Sequence, residues 1–420
     1  MSSSGFTTDN LPYGVISTKD NLIPRCATAL DDNAIDLAAL ETDGLFKDVT
    51  GFEKDIFSQP TLNTFASLPK QSQREVRRIL QQTLLDETTK NKYAIPLKNV
   101  KNHYPMDTKN FTDFYCSLEH TENCGKIMSS PTPKNWFIIP SAYNGRTSSL
   151  RVSGTPVRRP NGVFAVPPTP STHMTPSHAY QSSKRFDFEL EVGIFISKDL
   201  EPGEVLSMDE AKEYIFGFVI LNDWSARDIQ GFEMVPLGPF HGKGAGTSVS
   251  GWIVTAEALG GSMVERPEGK VQSPEALPHL SWRGERGEET WDVELTAKVV
   301  RNGTSHLVTE TNLKELYWTP YQQLIHLASA GEGLSTGDIF GTGTVTSNRI
   351  KNDGENAGIA CLLERTLPQN KMASLSSSGI VWLEDGDEVI MEGWAVNRAT
   401  GRKIGFGECR GVVEPALNVS

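Results

Sequence analysis

The segment 186–196 alternates apolar and acidic residues and constrains both the fold and the chemistry of this chain. It begins Phe-Asp-Phe-Glu-Leu-Glu-Val, and its apolar phase continues through Ile194 and Ile196. Successive side chains of a strand face opposite sides, so Asp187, Glu189 and Glu191 are predicted to share one face. Neighbouring carboxylates repel each other, and a hard divalent cation would stabilise such a row. A half-buried strand with a solvated acidic face is the alternative, which the segment alone favours.

Composition is that of an ordinary globular protein, because 38% of the 420 residues are hydrophobic and 22% are charged. The length suggests about two to three domains. A net charge of -12 argues against nucleic acid or an anionic membrane as the main partner. The first ten residues lack the pattern of a secretory signal, and the apolar stretch 214–221 is too short for a membrane span.

The five cysteines are scattered and form no C-x-x-C pair, and the histidines show no paired metal-ligand spacing. This pattern predicts free thiols in a reducing cytoplasm and argues against both a disulfide framework and a zinc site.

The order of the patterns predicts a small N-terminal unit followed by a β-rich body with few helices. Short strand-like runs occur at 14–17, 27–30 and 34–37, and an amphipathic helix is predicted over 69–86. The Pro-, Ser- and Thr-rich segment 154–183 is predicted to be an irregular loop. Later helices are predicted to begin at Ser207 and at Thr319.

Two further segments contain side chains that suit a ligand site. The apolar run 215–221 predicts a buried strand, and Asp223 follows at its end, where it would be either a ligand or a helix N-cap. Glycines surround Lys243 in the segment 238–246, which would allow an ammonium group to approach an anion or oxyanion. The spacing excludes a phosphate-binding P-loop, and a glycine-rich turn without a ligand is the alternative.

His120 and Glu364 are weaker candidates when each is considered alone. A single histidine is more often structural than catalytic, and Glu364 follows the apolar run 359–363 as an ordinary strand-end charge would.

Together these patterns resemble the fumarylacetoacetate hydrolase family in its eukaryotic form. The matching motifs extend over nearly the whole chain in the same order: 10–15 (NLPYGV), 112–115 (TDFY), 153–160 (SGTPVRRP), 189–191 (ELE), 222–230 (NDWSARDIQ), 235–240 (VPLGPF), 385–390 (DGDEVI) and 405–409 (GFGEC). The resemblance implies a mainly β, α+β fold, with an SH3-like N-terminal barrel over residues 1–105 and a catalytic β-roll over 106–420. It also implies a homodimer.

The resemblance further implies a metal site and a set of catalytic and substrate-binding residues. The metal positions of the family fall on Asp113, Glu189, Glu191 and Asp223, with Lys243 and Thr247 around them and Asp187 in a supporting place. An all-oxygen site suits Mg²⁺ or Ca²⁺. The catalytic positions fall on His120, Glu364, Lys243 and Gln230. The substrate-binding positions fall on Tyr115, Tyr143, Gln230 and Thr344.

The implied reaction is the hydrolysis of a carbon–carbon bond in a β-diketone, 4-fumarylacetoacetate, to fumarate and acetoacetate in the breakdown of tyrosine and phenylalanine. The cation is expected to chelate the 1,3-dicarbonyl oxygens, and His120, held by Glu364, is expected to activate water. Lys243 and Gln230 are expected to stabilise the oxyanion.

Three substrate-holding positions differ from the family pattern. No arginine occurs between Asp113 and Gly145, Met234 replaces a tyrosine, and Asn144 replaces a histidine. Lys126 or Lys134 would supply only a point charge in place of a guanidinium. A relative that acts on another β-keto acid or diketone, as a hydrolase, decarboxylase or isomerase, is therefore one alternative. A non-catalytic metal-binding scaffold is another, and the complete set of ligand and base positions argues against it.

Overall fold

A computed structural model describes residues 4–166 and 177–418. The N-terminal strands are β1 (Tyr13–Thr18), β2 (Arg25–Leu30), β3 (Asn33–Asp36), β4 (Ala94–Pro96) and β5 (Val100–His103). The helices of this part are α1 (Leu37–Thr42), α2 (Asn63–Ala66), α3 (Lys70–Thr83) and α4 (Glu87–Tyr93). The three predicted strands and the predicted amphipathic helix are thus confirmed, and Val76 and Leu80 of α3 are fully buried.

In the rest of the described chain, strands contain more residues than helices do. The strands are β6 (Phe111–Phe114), β7 (Ala142–Gly145), β8 (Leu150–Val152), β9 (Val157–Arg158), β10 (Asn161–Val166), β11 (Ser177–Ser182), β12 (Phe186–Asp187), β13 (Leu190–Ile196), β14 (Ile215–Asp223), β15 (Ser225–Ala226), β16 (Thr247–Val249), β17 (Trp252–Thr255), β18 (Met263–Val264), β19 (Thr290–Trp291), β20 (Val293–Arg301), β21 (Thr304–Asn312), β22 (Ile339–Gly341), β23 (Glu388–Val396) and β24 (Lys403–Glu414).

The helices of this part are α5 (Leu118–Met128), α6 (Ala211–Tyr214), α7 (Arg227–Leu237), α8 (Ala256–Leu259), α9 (Pro320–Leu327), α10 (Leu362–Arg365) and α11 (Ala373–Ser378). Single turns of 3₁₀ helix lie at Leu97–Asn99, Lys134–Phe137, Thr147–Ser149, His241–Lys243, Gly260–Ser262, Glu268–Lys270, Leu313–Glu315 and Pro368–Asn370. Among the described residues, no helix combines the length and the hydropathy that a membrane span requires.

Two sheets organise the molecule. The larger one has 13 strands along the path β4-β3-β2-β1-β17-β14-β13-β22-β6-β7, with β5 beside β1, β16 beside β14 and β8 beside β16. The second sheet has five strands in the order β21-β20-β23-β24-β9. The N-terminal strands therefore continue the sheet of the C-terminal part through the antiparallel pairing of β1 with β17.

Strand β13 is buried on both faces because it lies between two apolar layers. Leu190, Val192 and Ile194 belong to the core that contains the second sheet. Phe195 belongs to the core built with the N-terminal residues. The alternation predicted from the sequence is thus confirmed, and it places Glu191 on the same face as Phe195.

Some predicted elements differ from the structure. The segment 154–183 contains the antiparallel hairpin of β10 and β11, so the loop prediction is wrong there, and residues 167–176 lie outside the described residues. Ser207 is predicted to begin a helix, but it lies in a turn, where it bonds the Glu210 carboxylate, and helix α6 begins only at Ala211. Thr319 is the N-cap of α9, as predicted, and it also forms a capping box with Gln322.

Candidate active site

Four buried carboxylates meet where the ends of several strands of the larger sheet come together. Asp113 lies in β6, Glu189 immediately before β13, Glu191 in β13, and Asp223 at the end of β14. The antiparallel pairing of β13 with β14 brings Leu190 opposite Asn222, which places their acidic neighbours together. One oxygen from each of the four carboxylates lies within 4.8 Å of the others. Strands that are distant in sequence thus supply one compact set of oxygen ligands.

Basic and hydroxyl groups partly compensate this negative charge. The Lys243 ammonium bonds Glu189 and also donates to Asp223 Oδ2 at 2.6 Å. Thr247 Oγ1 donates to Asp223 Oδ1 at 2.7 Å, and the Tyr143 hydroxyl donates to Oδ2 at 2.9 Å. The N-cap alternative for Asp223 is therefore wrong, because its two oxygens are bound by side chains of the site.

Glu189 has a second cationic partner, Arg227, whose Nη2 lies 2.8 Å from Glu189 Oε1. Burial alone would raise the pKa of Glu189, but Arg227 and Lys243 hold it below its ordinary value. Burial likewise opposes the charge of Lys243, but Asp223 and Glu189 raise the pKa of its ammonium. These contacts therefore favour the ionised forms of Glu189 and Lys243 in spite of their burial.

Asp113 and Glu191 lack such compensation. Asp113 Oδ1 and Glu191 Oε1 are buried and accept no hydrogen bond from the described residues, whereas Glu191 Oε2 accepts one from the Gly343 amide at 3.0 Å. Burial and the neighbouring carboxylates raise the pKa of both acids well above the ordinary carboxyl value. Unpartnered buried oxygens in an all-oxygen cluster are what a hard divalent cation binds. The residues present therefore fit Mg²⁺ or Ca²⁺.

The space beside these oxygens depends on a glycine. A Cβ atom at Gly341 would lie 2.8 Å from Glu191 Oε2 and 2.9 Å from Asp113 Oδ1. We expect Gly341→Ala to displace both carboxylates and to weaken divalent-cation affinity by about 10- to 100-fold, as measured by isothermal titration calorimetry. Gly260→Ala is the matched control, because in the part of the chain that the structure describes no atom from outside its immediate neighbourhood lies within 4 Å of a Cβ atom there. Equal affinity in the two variants would contradict this role.

His120 and Glu364 form a buried pair next to this carboxylate cluster. Ser117 caps α5 by accepting from the His120 amide, which fixes the histidine in the first turn of the helix. His120 Nδ1 donates to Glu364 Oε2 at 2.7 Å, and Nε2 lies 3.9 Å from Glu189 Oε1. The Nδ1–H bond to Glu364 leaves the lone pair of Nε2 facing the carboxylates, which is the arrangement of an oriented general base.

Sequence reasoning missed the residues that hold Glu364. Asn123 donates to its Oε1 at 2.8 Å, and Thr346 Oγ1 donates to its Oε2 at 2.7 Å. Burial alone would raise the pKa of Glu364, but His120 and these hydrogen bonds lower it. Glu364 itself lies in the short helix α10, so the alternative of an ordinary charge at a strand end is wrong. Asn123 follows His120 by three residues on one helix face, a spacing that would have identified it.

Asp187 connects the carboxylate cluster to the pair formed by His120 and Glu364. Its carboxylate accepts from the amides of Leu362 and Leu363 at the start of α10, at 2.8 and 2.9 Å. It also accepts from Arg227 Nε at 2.9 Å, and the same guanidinium contacts Glu189. Asp187 therefore positions the helix that carries Glu364 relative to the acid cluster, in agreement with the supporting place expected for it.

The electrostatic coupling between His120 and Glu364 predicts how activity depends on pH. Burial alone would lower the pKa of His120, but Cys124 and the Glu364 carboxylate raise it well above its ordinary value. A histidine that acts as a general base must be unprotonated. The rate of a reaction in which His120 is the base is therefore expected to fall as the pH falls through this raised pKa. Glu364→Gln removes one negative charge, and we expect the acid limb of the kcat/KM profile to move to lower pH. An acid limb that stays in place would contradict the coupling.

The remaining predicted residues surround His120 and Lys243. The Tyr115 ring packs edge-on against the His120 ring, with centroids 5.1 Å apart. Gln230 Oε1 accepts from Arg227 Nη1 at 3.1 Å, and its side chain lies against Gly242. Thr344 is buried in the segment that follows β22, two residues before Thr346. Each of these predicted residues therefore lies in the site or in an adjoining segment.

A cavity of about 530 Å³ opens beside the cluster and is lined by Tyr143 and Lys243. Arg146 and Phe240 form part of its wall, and the Arg146 guanidinium lies 5.0 Å from the centre of the Phe240 ring. This volume suits a small organic molecule. In contrast, the side chains of Lys126 and Lys134, the suggested replacements for the missing arginine, are solvent-exposed.

Comparison with known proteins defines the class of this fold and site. Residues 109–414 match the family model described as fumarylacetoacetate hydrolase, C-terminal, and residues 9–105 match the model described as fumarylacetoacetase, N-terminal. The chain belongs to the fumarylacetoacetate hydrolase family.

Among individual relatives, the chain is 39% identical to fumarylacetoacetase of Oryza sativa over 99% of this chain and 96% of the relative. It is 38% identical to fumarylacetoacetase of Homo sapiens over 99% of this chain and 97% of the relative. A solved structure, fumarylacetoacetate hydrolase of Exiguobacterium antarcticum, superposes with a TM-score of 0.51 and 17% identity, covering 96% of this chain and 99% of that chain. This structural likeness concerns the fold alone.

Proposed function

We propose that the protein hydrolyses 4-fumarylacetoacetate to fumarate and acetoacetate, in the breakdown of tyrosine and phenylalanine. Identity of 36–39% to fumarylacetoacetases of plants and animals over 99% of the chain is the observation that carries this proposal. The site supports it, because a cluster of oxygen ligands lies next to an oriented histidine. The second function, a relative acting on another β-keto acid or diketone, is not favoured by these relatives.

The carboxylate cluster would hold Mg²⁺ or Ca²⁺ through Asp113, Glu189, Glu191 and Asp223, and such a cation would polarise the two oxygens of a 1,3-dicarbonyl group. Tyr143 and Thr247 orient Asp223, and Lys243 bridges Asp223 to Glu189. These contacts fix the ligand oxygens before substrate arrives, so little reorganisation is needed during the reaction.

His120 Nε2 takes a proton from a water molecule, and the resulting hydroxide attacks the carbonyl carbon. Glu364 stabilises the imidazolium that forms, since it accepts a hydrogen bond from Nδ1 and its lowered pKa favours the carboxylate form. The proton on Nε2 is then available to the carbon atom that leaves when the carbon–carbon bond breaks. Water is therefore added across that bond, with His120 as both acceptor and donor.

Lys243 and Gln230 stabilise the negative charge on the attacked carbonyl oxygen. An ammonium has three N–H donors, and two of them serve Glu189 and Asp223, which leaves one for the oxyanion. Gln230 accepts from Arg227 through Oε1, so its amide NH₂ is the end free to donate. Loss of one such donor typically costs about 10²- to 10³-fold in kcat.

We place Tyr115, Tyr143, Gln230 and Thr344 against the substrate.

Arg146 lines the cavity together with Tyr143 and Lys243. We propose that its guanidinium binds a carboxylate group of the substrate. Arg146→Gln is expected to raise KM by about tenfold, or about 1.4 kcal/mol, with little change in kcat. Arg158→Gln is the matched control, because this exposed guanidinium binds Glu414 instead. A KM that rises equally in both variants would argue against the assignment.

The proposal is tested with the purified full-length protein, Mg²⁺ or Ca²⁺, and a panel of substrates. Turnover is followed on fumarylacetoacetate, on simple β-diketones and on β-keto acids, and the products are identified by chromatography. The highest kcat/KM is expected for fumarylacetoacetate, with one fumarate released per acetoacetate. Preference for another β-diketone or β-keto acid, or decarboxylation in place of hydrolysis, would favour the second function.

The finer architecture and the assembly also belong to the proposal. We propose that residues 1–105 form an SH3-like domain, that 106–420 form the catalytic β-roll, and that two chains make a homodimer in the cytoplasm. The cysteines of the chain are all buried as free thiols, which agrees with a reducing compartment. The substrate is a small molecule, and the proposal involves neither nucleic acid nor membrane as a partner.

A further inference from the structure

A second cluster of ligand-type side chains lies behind the His120 imidazole, away from the all-oxygen cluster. The Cys361 thiol donates to Glu364 Oε2 at 3.1 Å, and His120 Nδ1 donates to the same oxygen at 2.7 Å. One ligand atom from each of these three residues lies within 4.8 Å of the others. All three side chains are buried, with exposures of 0–3%. One nitrogen, one sulfur and one oxygen thus converge on a small volume.

We propose that His120, Cys361 and Glu364 form a binding site for a thiophilic divalent cation of the zinc type, and that its binding inhibits the enzyme. The inhibitory part of this proposal rests on the proposed hydrolytic function, whereas the binding part does not. Zn²⁺ is bound by imidazole, thiolate and carboxylate together, whereas Mg²⁺ and Ca²⁺ take oxygen ligands. The donor sets of the two clusters therefore select different ions.

The donor groups balance the charge of the cation. The Cys361 thiol proton leaves to solvent, and the imidazole proton of His120 moves from Nδ1 to Nε2 by exchange with solvent. Two positive charges enter as one departs, and the Cys361 thiolate and the Glu364 carboxylate together neutralise the cation, so the occupied site carries no net charge. Typical Zn–N and Zn–S bonds are about 2.0 and 2.3 Å long, which places ligand atoms about 3–4 Å apart. The present contacts are close to this spacing, so small side-chain shifts are enough.

Inhibition follows from the tautomer of the imidazole. In the free enzyme the proton lies on Nδ1 and the Nε2 lone pair faces the carboxylate cluster, 3.9 Å from Glu189. When a cation occupies Nδ1, a neutral imidazole carries its proton on Nε2 instead. Such an imidazole has no lone pair for the proton of water. The cation thus blocks the base without occupying the oxygen cluster.

The binding part is tested with Co²⁺, a spectroscopic substitute for Zn²⁺, added to full-length protein in excess Mg²⁺. A thiolate-to-cobalt charge-transfer band is expected at about one equivalent of Co²⁺. Cys361→Ser keeps a hydrogen-bond donor to Glu364 but lacks sulfur, and it is expected to lose the band. Cys409→Ala is the matched control, because this buried thiol contacts the Ser248 carbonyl instead, and it should keep the band. A band that survives in Cys361→Ser overturns the proposal.

The inhibitory part is tested by adding Zn²⁺ during turnover in excess Mg²⁺. Wild type and Cys409→Ala are expected to lose at least about tenfold in rate at concentrations that Cys361→Ser tolerates. Equal inhibition of all three proteins would show that Zn²⁺ acts elsewhere and would overturn inhibition through this site. If fumarylacetoacetate proved not to be the substrate, the cobalt spectrum would still decide whether the site exists.

Discussion

His120→Ala is expected to lower kcat by about 10²- to 10⁴-fold while leaving the affinity for divalent cations nearly unchanged. The alanine variant has no group that takes the proton of water, so hydroxide would have to come from solution. Glu189 and Asp223 keep their contacts with Lys243, and Glu189 keeps its contact with Arg227, because none of these contacts involves the imidazole. Steady-state kinetics measures the first quantity, and calorimetric titration with Mg²⁺ or Ca²⁺ measures the second.

His306→Ala provides the control for this experiment. His306 lies on β21, at the outer edge of the second sheet, where it pairs with Val299. This variant should retain wild-type kcat and thermal stability. A His120→Ala protein that folds, binds the cation and still turns over at more than about a tenth of the wild-type rate would refute the role of His120 as base.

The sequence predicts much of the carboxylate cluster because local pattern and global fold agree there. The alternation over 186–196 specifies which residues of β13 share a face, and the apolar run before Asp223 specifies a buried strand. Both follow from the period of a strand and from burial, which a single segment reveals. The pattern does not show that Asp113, on a distant strand, lies beside Gly341 in the same sheet, since parallel pairing is a long-range feature.

The parts that sequence reasoning missed depend on contacts between segments far apart in the chain. Arg227 joins Asp187 to Glu189, yet nothing in its own motif indicates two acidic partners. The local pattern alone favours a strand-end charge at Glu364 because the run before it is apolar, but Asp187 binds the amides that follow Cys361, and the chain turns into a helix. The hairpin of β10 and β11 was missed because Pro, Ser and Thr mark loops locally, while pairing across the hairpin decides the outcome.

The second large effect is expected from Glu191→Gln, which should abolish stabilisation by divalent cations and lower kcat by at least about 10²-fold. Glu191 is fully buried, and burial together with Asp113 and Glu189 raises its pKa well above the ordinary value. A glutamine has nearly the same shape as a protonated glutamate, so packing is preserved. The variant therefore removes one ligand charge with little change in volume.

Asp113 and Glu191 also determine how the free energy of unfolding depends on pH. Their pKa values are higher in the folded protein than in the unfolded chain, where a carboxyl has a pKa of about 4. Between the unfolded and the folded pKa, the folded protein binds more protons, so the free energy of unfolding of metal-free protein falls as the pH rises. A bound divalent cation replaces those protons, and its stabilising effect should therefore be larger at about pH 8 than at about pH 5.

Thermal unfolding of Glu191→Gln distinguishes this account from a merely structural role of the carboxylate. Without metal at about pH 8, the variant should be at least as stable as wild type, because it lacks a buried carboxyl that must either bind a proton or carry an uncompensated charge at this pH. With cation at about 100 times Kd, wild type should gain about 2.7 kcal/mol and the variant almost nothing. Glu408→Gln, an exposed carboxylate on β24 near Arg410, should behave as wild type in both conditions. Equal stabilisation of Glu191→Gln and wild type by the cation would mean that the ion binds without Glu191, and the carboxylate cluster would then not be the metal site.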